Sequence, residues 1–341
     1  MEISVFTVDA FTNLPFKGNP AAVCPLLHEL SDDLYQKIAT EMNLAETAFI
    51  TKINPSDNFT TGSRFRLRWF TPTNEVNLCG HATLASAAVL FQKNENSVLV
   101  FETRSGDLAV TQQGERYIMD FPLNPPAQED PNDFKDIIKA AVGNHPIQDV
   151  YLCSNTKKLM VRLADSCDRS VLTSLKVDPV ALQSSERSGR VKGLILTMKG
   201  SPDCQPGYDF YSRYFSPWNG IPEDPVTGSA HTVLGSYWSK KLGKKKLLGN
   251  MIIQYRNFSL VQLSTSSNSV SHETIKVRNE VTDTHFVLCV CVCVCVCVCV
   301  FFCLAYQCSR RGGELELEVR EDGRINIAGH AVFVLQGTIT L

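Results

Sequence analysis

Four stretches of the chain carry side chains able to move a proton or hold an anion. Glu46 lies in EMNLAETAFIT, residues 41–51, where an amphipathic helical pattern (LYQKIATEMN) gives way to a strand pattern (TAFIT). A carboxyl hemmed in by Leu44, Ala45, Ala48 and Phe49 loses solvation. Its pKa then rises towards the range in which one group both takes and returns a proton. A turn or cap carboxylate is the plainer use of the same residue. In LCGHATLASAAVL, residues 78–90, Cys-Gly-His opens a helix of small residues. His81 at that start is expected as a neutral ring, because the positive end of the helix dipole disfavours imidazolium. A buried histidine satisfied by backbone is the alternative. Cys79 is either a thiol whose pKa the same helix end lowers or a small core residue. Asp224 and Ser229 flank Gly228 in EDPVTGSAH, and both types also cap helices. Asn19 follows Gly18 in PFKGNPAAV, where an Asx-turn and a ligand contact both suit an amide.

These residues need elements to hold them. Ala82 to Leu90 carries no charge, unlike a surface helix, and should be enclosed on every side. A weak internal echo links TPTNEVNLCGHATLASAAVLF, residues 71–91, to SPWNGIPEDPVTGSAHTVLGSYW, residues 216–238: each runs acid, turn, glycine, polar residue, then helix. Strand-type runs surround both, with RFRLRWF, SVLVFETRSGDLAVTQQ and ERYIMDFPL in the first half and DVYLCSN, KLMVRLAD, GLILTMKG and YDFYSRYFSP in the second. A helix start exposes unpaired N–H groups and partial positive charge, and glycine lets an anion approach closely. Two such starts facing each other would clamp a small carboxylate.

The 341 residues suggest two domains. A formal net charge of -2 leaves no basic field, so nucleic acid is not an expected partner. The start, MEISVFTVDAFTNLPF, alternates like a strand and lacks the pattern of a secretory leader, so a cytoplasmic protein is expected. Seven of the thirteen cysteines crowd into Cys289–Cys303, and the other six are scattered, which implies no disulfide framework. The apolar run 286–306 is long enough to cross a bilayer. Strict Cys-Val alternation, however, is what a TG dinucleotide repeat encodes, and strand-like sequence resumes after it. A nonfunctional insertion over about 249–304 is therefore favoured over a membrane anchor, with a thiol-rich metal site third. The KKLGKKK run, residues 240–246, reads as a solvated helix end. There is no Walker loop, GxGxxG, HExxH or nucleophile elbow, so no cofactor and no metal are expected.

VFTVDAFTNLPFKGNPAAV, NLAETAFI, RWFTPTNEVNLCGHATLA and EDPVTGSAH together resemble the PhzF family, most closely its animal branch. The resemblance covers about residues 1–248 and resumes near Ala305. It implies an α+β diaminopimelate epimerase-like fold: two pseudosymmetric domains, each a curved sheet around a central helix. Residues 1–119 would form the first, joined by a returning strand at 333–341, and residues 120–332 the second, interrupted by the insert. By the same resemblance Glu46 is the general acid/base, and His81 and Asp224 assist proton movement or position the substrate. Gly80, Gly228 and Ser229 hold the substrate carboxylate. Asn19 and Cys79 complete the expected substrate-binding set. The related epimerases use a cysteine at each helix start, whereas this chain has Cys79 and Thr227. A hydroxyl is a poor second base, so isomerisation through Glu46 alone is preferred, with a Cys79–Glu46 pair left open. The expected function is a cofactor-independent isomerase that moves a proton within a small carboxylic acid, in a homodimer as is common in the family. The alternatives are a ligand-sensing or protein-binding module on the same fold, and a chain made defective by the insert.

Overall fold

The computed structural model describes residues 2–54, 56–200, 207–244 and 303–341. The chain starts with β1 (Glu2–Ala10), β2 (Asn19–Leu26), α1 (Asp32–Met42), β3 (Glu46–Lys52), β4 (Arg64–Phe70) and β5 (Glu75–Val76). Then come α2 (Gly80–Phe91), β6 (Val98–Thr103), β7 (Gly106–Gln113), β8 (Arg116–Pro122) and β9 (Ala127–Gln128). Next are α3 (Lys135–Val142), β10 (Ile147–Cys153), β11 (Lys158–Leu163), α4 (Arg169–Ser174), α5 (Pro179–Ser185), β12 (Gly193–Lys199) and β13 (Phe210–Ser216). Last are β14 (Ile221–Asp224), α6 (Gly228–Lys241), β15 (Cys303–Gln307), β16 (Gly313–Val319), β17 (Arg324–Gly329) and β18 (Ala331–Thr340). This is a mixed α+β fold, and the strand-type runs of the sequence lie in β4, β6–β8 and β10–β13.

The order of pairing senses occurs twice. From β1 to β8 the ladder runs β1–β2 antiparallel, β2–β3 parallel, β3–β4 antiparallel, β4–β6 parallel, then β6–β7 and β7–β8 antiparallel. From β10 to β17 it runs β10–β11 antiparallel, β11–β12 parallel, β12–β13 antiparallel, β13–β15 parallel, then β15–β16 and β16–β17 antiparallel. The two sets join where β8 pairs with β17. Parallel neighbours need a crossover, and the β4–β6 and β13–β15 crossovers contain α2 and α6 respectively.

All twelve residues of α2 are buried, as is α6 from Ala230 to Ser239. Uncharged residues suit such a position because a helix enclosed by sheet has no solvated face on which to place a charge. One core joins Leu84, Ala87 and Leu90 of α2 to Val233, Leu234 and Trp238 of α6 and to strand residues such as Phe65, Phe101, Leu317 and Ile327. α1 packs outside the first set with Tyr35 and Ile38, and α3 to α5 pack outside the second through Ile137, Leu172 and Leu182. Ser31 caps α1 by accepting from the Leu34 amide, and left-handed Asn43 ends it. The chain thus reaches Glu46 at the first residue of β3.

β15 begins at Cys303, so the expected insert, placed at 249–304, ends two residues too late: Cys303 and Leu304 already pair with Leu317 and Glu316. The rest of the Cys-Val tract lies outside the described residues. Among the described residues no helix is long and apolar enough to cross a membrane.

The C-terminal strands hold the turn that leads into Asn19. β18 pairs with β1 along its whole length, from Glu2↔Thr340 to Ala10↔Ala331. Phe11, buried at φ +62°, donates its N–H to His330 O at 2.8 Å and accepts from the Glu314 amide at 3.0 Å. Arg311 donates to Asp9 Oδ1 (2.6 Å), Gly18 O (2.9 Å) and Lys17 O (2.9 Å). The Asp9 side chain is 2% exposed, and burial pushes its pKa up against the pull of Arg311. Arg311→Met should therefore cost about 2–3 kcal/mol at neutral pH, since it strands a buried carboxylate and the arginine itself is partly solvated. A carboxyl whose folded pKa is raised binds its proton more readily folded than unfolded, so the loss should shrink as pH falls towards 4. Urea unfolding of both proteins across pH 4–8 measures this, and a pH-independent difference would exclude Asp9 as the cause.

Candidate functional site

The starts of α2 and α6 meet. A Cβ built on Gly80 would lie 3.0 Å from Gly228 Cα, and one on Gly228 would lie 3.2 Å from Gly80 Cα, so both positions need glycine for this approach. Cys79 and Thr227 are the N-cap residues, and neither caps its helix through its side chain. The capping role expected of Asp224 and Ser229 is not observed: the Asp224 carboxylate is engaged elsewhere, and Ser229 is half-buried at the second helical position. Two helix ends thus present partial positive charge to one place.

Asn19, Glu46, Cys79, His81 and Asp224 converge there from four segments, each residue no more than 6% exposed. Gly18, at φ +63°, turns the chain into Asn19, and a Cβ there would run into Ala10 O at 2.1 Å. Asn19 Nδ2 donates to Asp224 Oδ1 (2.6 Å) and Val226 O (2.9 Å) and also lies 3.0 Å from His81 Nδ1. Asn19 therefore ties Asp224 to the turn before α6. The Asx-turn role is not what its side chain does.

His81 Nδ1 faces the Asn19 amide and, at 3.4 Å, Cys79 Sγ. Both neighbours bear protons, so Nδ1 is the acceptor and the ring proton sits on Nε2. That Nε2 lies 3.2 Å from Glu46 Oε2, though neither atom has a hydrogen-bond partner in the described structure. Burial pushes His81 down to about 3, so the ring is neutral as expected, with burial as the cause.

Two carboxyls share this low-dielectric site. Burial, and then the negative charge of Asp224, hold the Glu46 carboxyl well above the usual range. Burial raises Asp224 to about 6, against hydrogen bonds from Thr227 and Asn19 that favour the anion. Close carboxyls that cannot both ionise titrate as a pair. Cys79 departs from the lowered-pKa expectation: burial and the adjacent Glu46 push its thiol well above normal, and desolvation outweighs the helix end.

The second helix start contributes groups that sequence reasoning missed. Thr227 donates its hydroxyl to Asp224 Oδ2 at 2.5 Å, and Gln307 accepts from the Thr227 amide (2.8 Å) while donating to Asp224 O (2.5 Å). Lys158, on β11, is drawn down to about 8 by burial, although Asp224 works against this. A lysine opening the largely apolar strand KLMVRL was its only signal; Gln307, beyond the Cys-Val tract, had none. A surface cleft of about 360 Å³ lined by Gln183, Arg187, Lys192 and Trp218 contains none of the converging residues. Glu46, Cys79 and His81 are the one group among the described residues with the donor set for a metal ion.

Residues 8–281 match the family model for PhzC-PhzF, phenazine biosynthesis-like protein. Mouse phenazine biosynthesis-like domain-containing protein 1 is 48% identical over 343 residues, covering all of both chains. A Pseudomonas aeruginosa protein named as an uncharacterized isomerase is 42% identical over 72% of this chain and 86% of its own. A crystal structure of a PhzF family phenazine biosynthesis protein from Enterococcus faecalis superposes with a TM-score of 0.72 at 33% identity, covering all of both chains.

The raised carboxyls set a pH dependence. Between the unfolded pKa near 4 and the folded value, the native state binds more protons than the unfolded one, so stability falls as pH rises. For Asp224 that window is about pH 4 to 6, and Glu46 extends it upward. Asp224→Asn should remove on the order of 2–3 kcal/mol of this pH-dependent change. The test is the urea midpoint of each protein from pH 4 to 8; parallel curves would mean that Asp224 titrates normally.

Proposed function

The chain belongs to the PhzF family, and from that premise we propose that it is a cofactor-independent isomerase moving a proton within a small carboxylic acid. The observation that carries this reading is Glu46, a carboxyl of raised pKa 3.2 Å from a neutral His81 at the meeting point of two helix starts. As carboxylate, Glu46 would take a proton from a carbon activated by the substrate's carboxylate or double bond. As acid, it would return that proton to another carbon of the same molecule. A pKa lifted by burial brings the two half-steps closer in free energy. The backbone amides around Gly80, Gly228 and Ser229 would hold the substrate carboxylate and the charge that develops on it. His81, whose Nε2 lies 3.2 Å from Glu46 Oε2, would position the carrier, and Asp224, held by Asn19 and Thr227, would keep Glu46 basic.

Thr227 and Cys79 bear on the choice of mechanism. The Thr227 hydroxyl donates to Asp224, and the Cys79 thiol is held protonated. Neither is suited to act as a second base, which favours one-base isomerisation over two-base epimerisation. The repeated order of pairing senses supports two pseudosymmetric halves in the manner of diaminopimelate epimerase, about 1–119 with 333–341 and 120–332. The insertion would then fall in the crossover from α6 to β15.

Incubating the purified chain in heavy water with small unsaturated and amino carboxylic acids, followed by proton NMR, tests the reading. Deuterium should enter the carbon skeleton of a substrate, and Glu46→Gln should slow it roughly 10²–10⁴-fold. Exchange that survives Glu46→Gln would remove Glu46 as carrier. Equal thermal stabilisation of both proteins by a carboxylate, without exchange, would favour a binding module.

A further inference from the structure

Glu46, Cys79 and His81 each offer one ligand atom, and these atoms lie within 4.8 Å of one another in the buried interior. One oxygen, one nitrogen and one sulfur make the three-donor set of a zinc site with its fourth position open. The arrangement has a second, independent mark of a ligand. Glu46 Oε2 and His81 Nε2 are buried without hydrogen-bond partners and face each other at 3.2 Å. Two donors bonded to one tetrahedral zinc stand roughly 3.3–3.6 Å apart, and Cys79 Sγ and His81 Nδ1 lie at 3.4 Å. The three side chains are also anchored, one at the start of β3 and two at the start of α2.

We propose that Glu46, Cys79 and His81 bind one thiophilic divalent cation of the zinc class, and that the bound ion withholds Glu46 from any other chemistry in the site. On binding, the Cys79 thiol releases its proton to solvent and its sulfur bonds the ion as thiolate. His81 Nδ1, already the unprotonated ring nitrogen and 3.4 Å from that sulfur, bonds the same ion through its lone pair. The ring proton stays on Nε2. The two hydrogens of the Asn19 amide are already committed to Asp224 and Val226, so they do not compete for Nδ1. Sulfur and imidazole donors select zinc, cobalt or copper over magnesium and calcium, which take oxygen. Water would fill the fourth position.

Ion binding is read without turnover, so its outcome is independent of the isomerase reading. The reduced, metal-free full chain is titrated with Co²⁺, following thiolate-to-cobalt absorption, and zinc is then added to displace the cobalt. The thiols of the Cys-Val tract can also take cobalt, so the reading is the difference between chains that share the tract. The unmodified chain should bind one more ion than Cys79→Ser. Glu46→Gln, which keeps both the thiol and the side-chain shape, should weaken that same ion more than about tenfold. Equal stoichiometry and affinity in all three chains, each folded by thermal unfolding, would overturn the proposal.

Discussion

Two helices begin against each other with glycine on both sides, and this close approach governs everything around it. Gly80 and Gly228 bring two sets of unpaired amides to one point. Two carboxyl side chains, Glu46 and Asp224, come to that point from β3 and β14. The small residues of α2, the full enclosure of both helices and the crossovers that carry them all serve to fix where those tips lie. A larger residue at either glycine would part the tips before it changed any chemistry.

Electrostatics in the site are decided by burial more than by dipoles. A helix start should lower the pKa of a thiol and favour a carboxylate, yet Cys79 and Glu46 both move upward. Desolvation penalises any lone charge, and two acids with few cations nearby penalise each other further. The result is a set of groups held neutral or nearly so, with Asp224 the most readily ionised of the acids, since Asn19 and Thr227 donate to it.

Distant parts of the chain support the site through the sheet. Arg311 and the β18–β1 ladder hold the turn ahead of Asn19, and Gln307 braces the turn ahead of Gly228. Both supports come from sequence beyond the Cys-Val tract. The final strands therefore complete the surroundings of residues far ahead of them in the chain, 293 positions in the case of Arg311 and Gly18.

Local pattern determined much of this in advance. Alternation of polar and apolar residues marks strands such as β4 and β16, and the uncharged stretch from Ala82 marks a helix with no wet face, because both signals depend only on neighbours along the chain. The types and positions of Glu46, His81 and Asp224 could likewise be singled out from short motifs. What the sequence could not fix were relations between segments: that Asn19 bonds Asp224 and does not close its own turn, that Thr227 spends its hydroxyl on Asp224, and that Lys158 and Gln307 belong to the same neighbourhood. The direction in which Cys79 titrates was also undecided, since a helix end and burial oppose each other. Only packing sets how much water remains, and with it which of the two prevails.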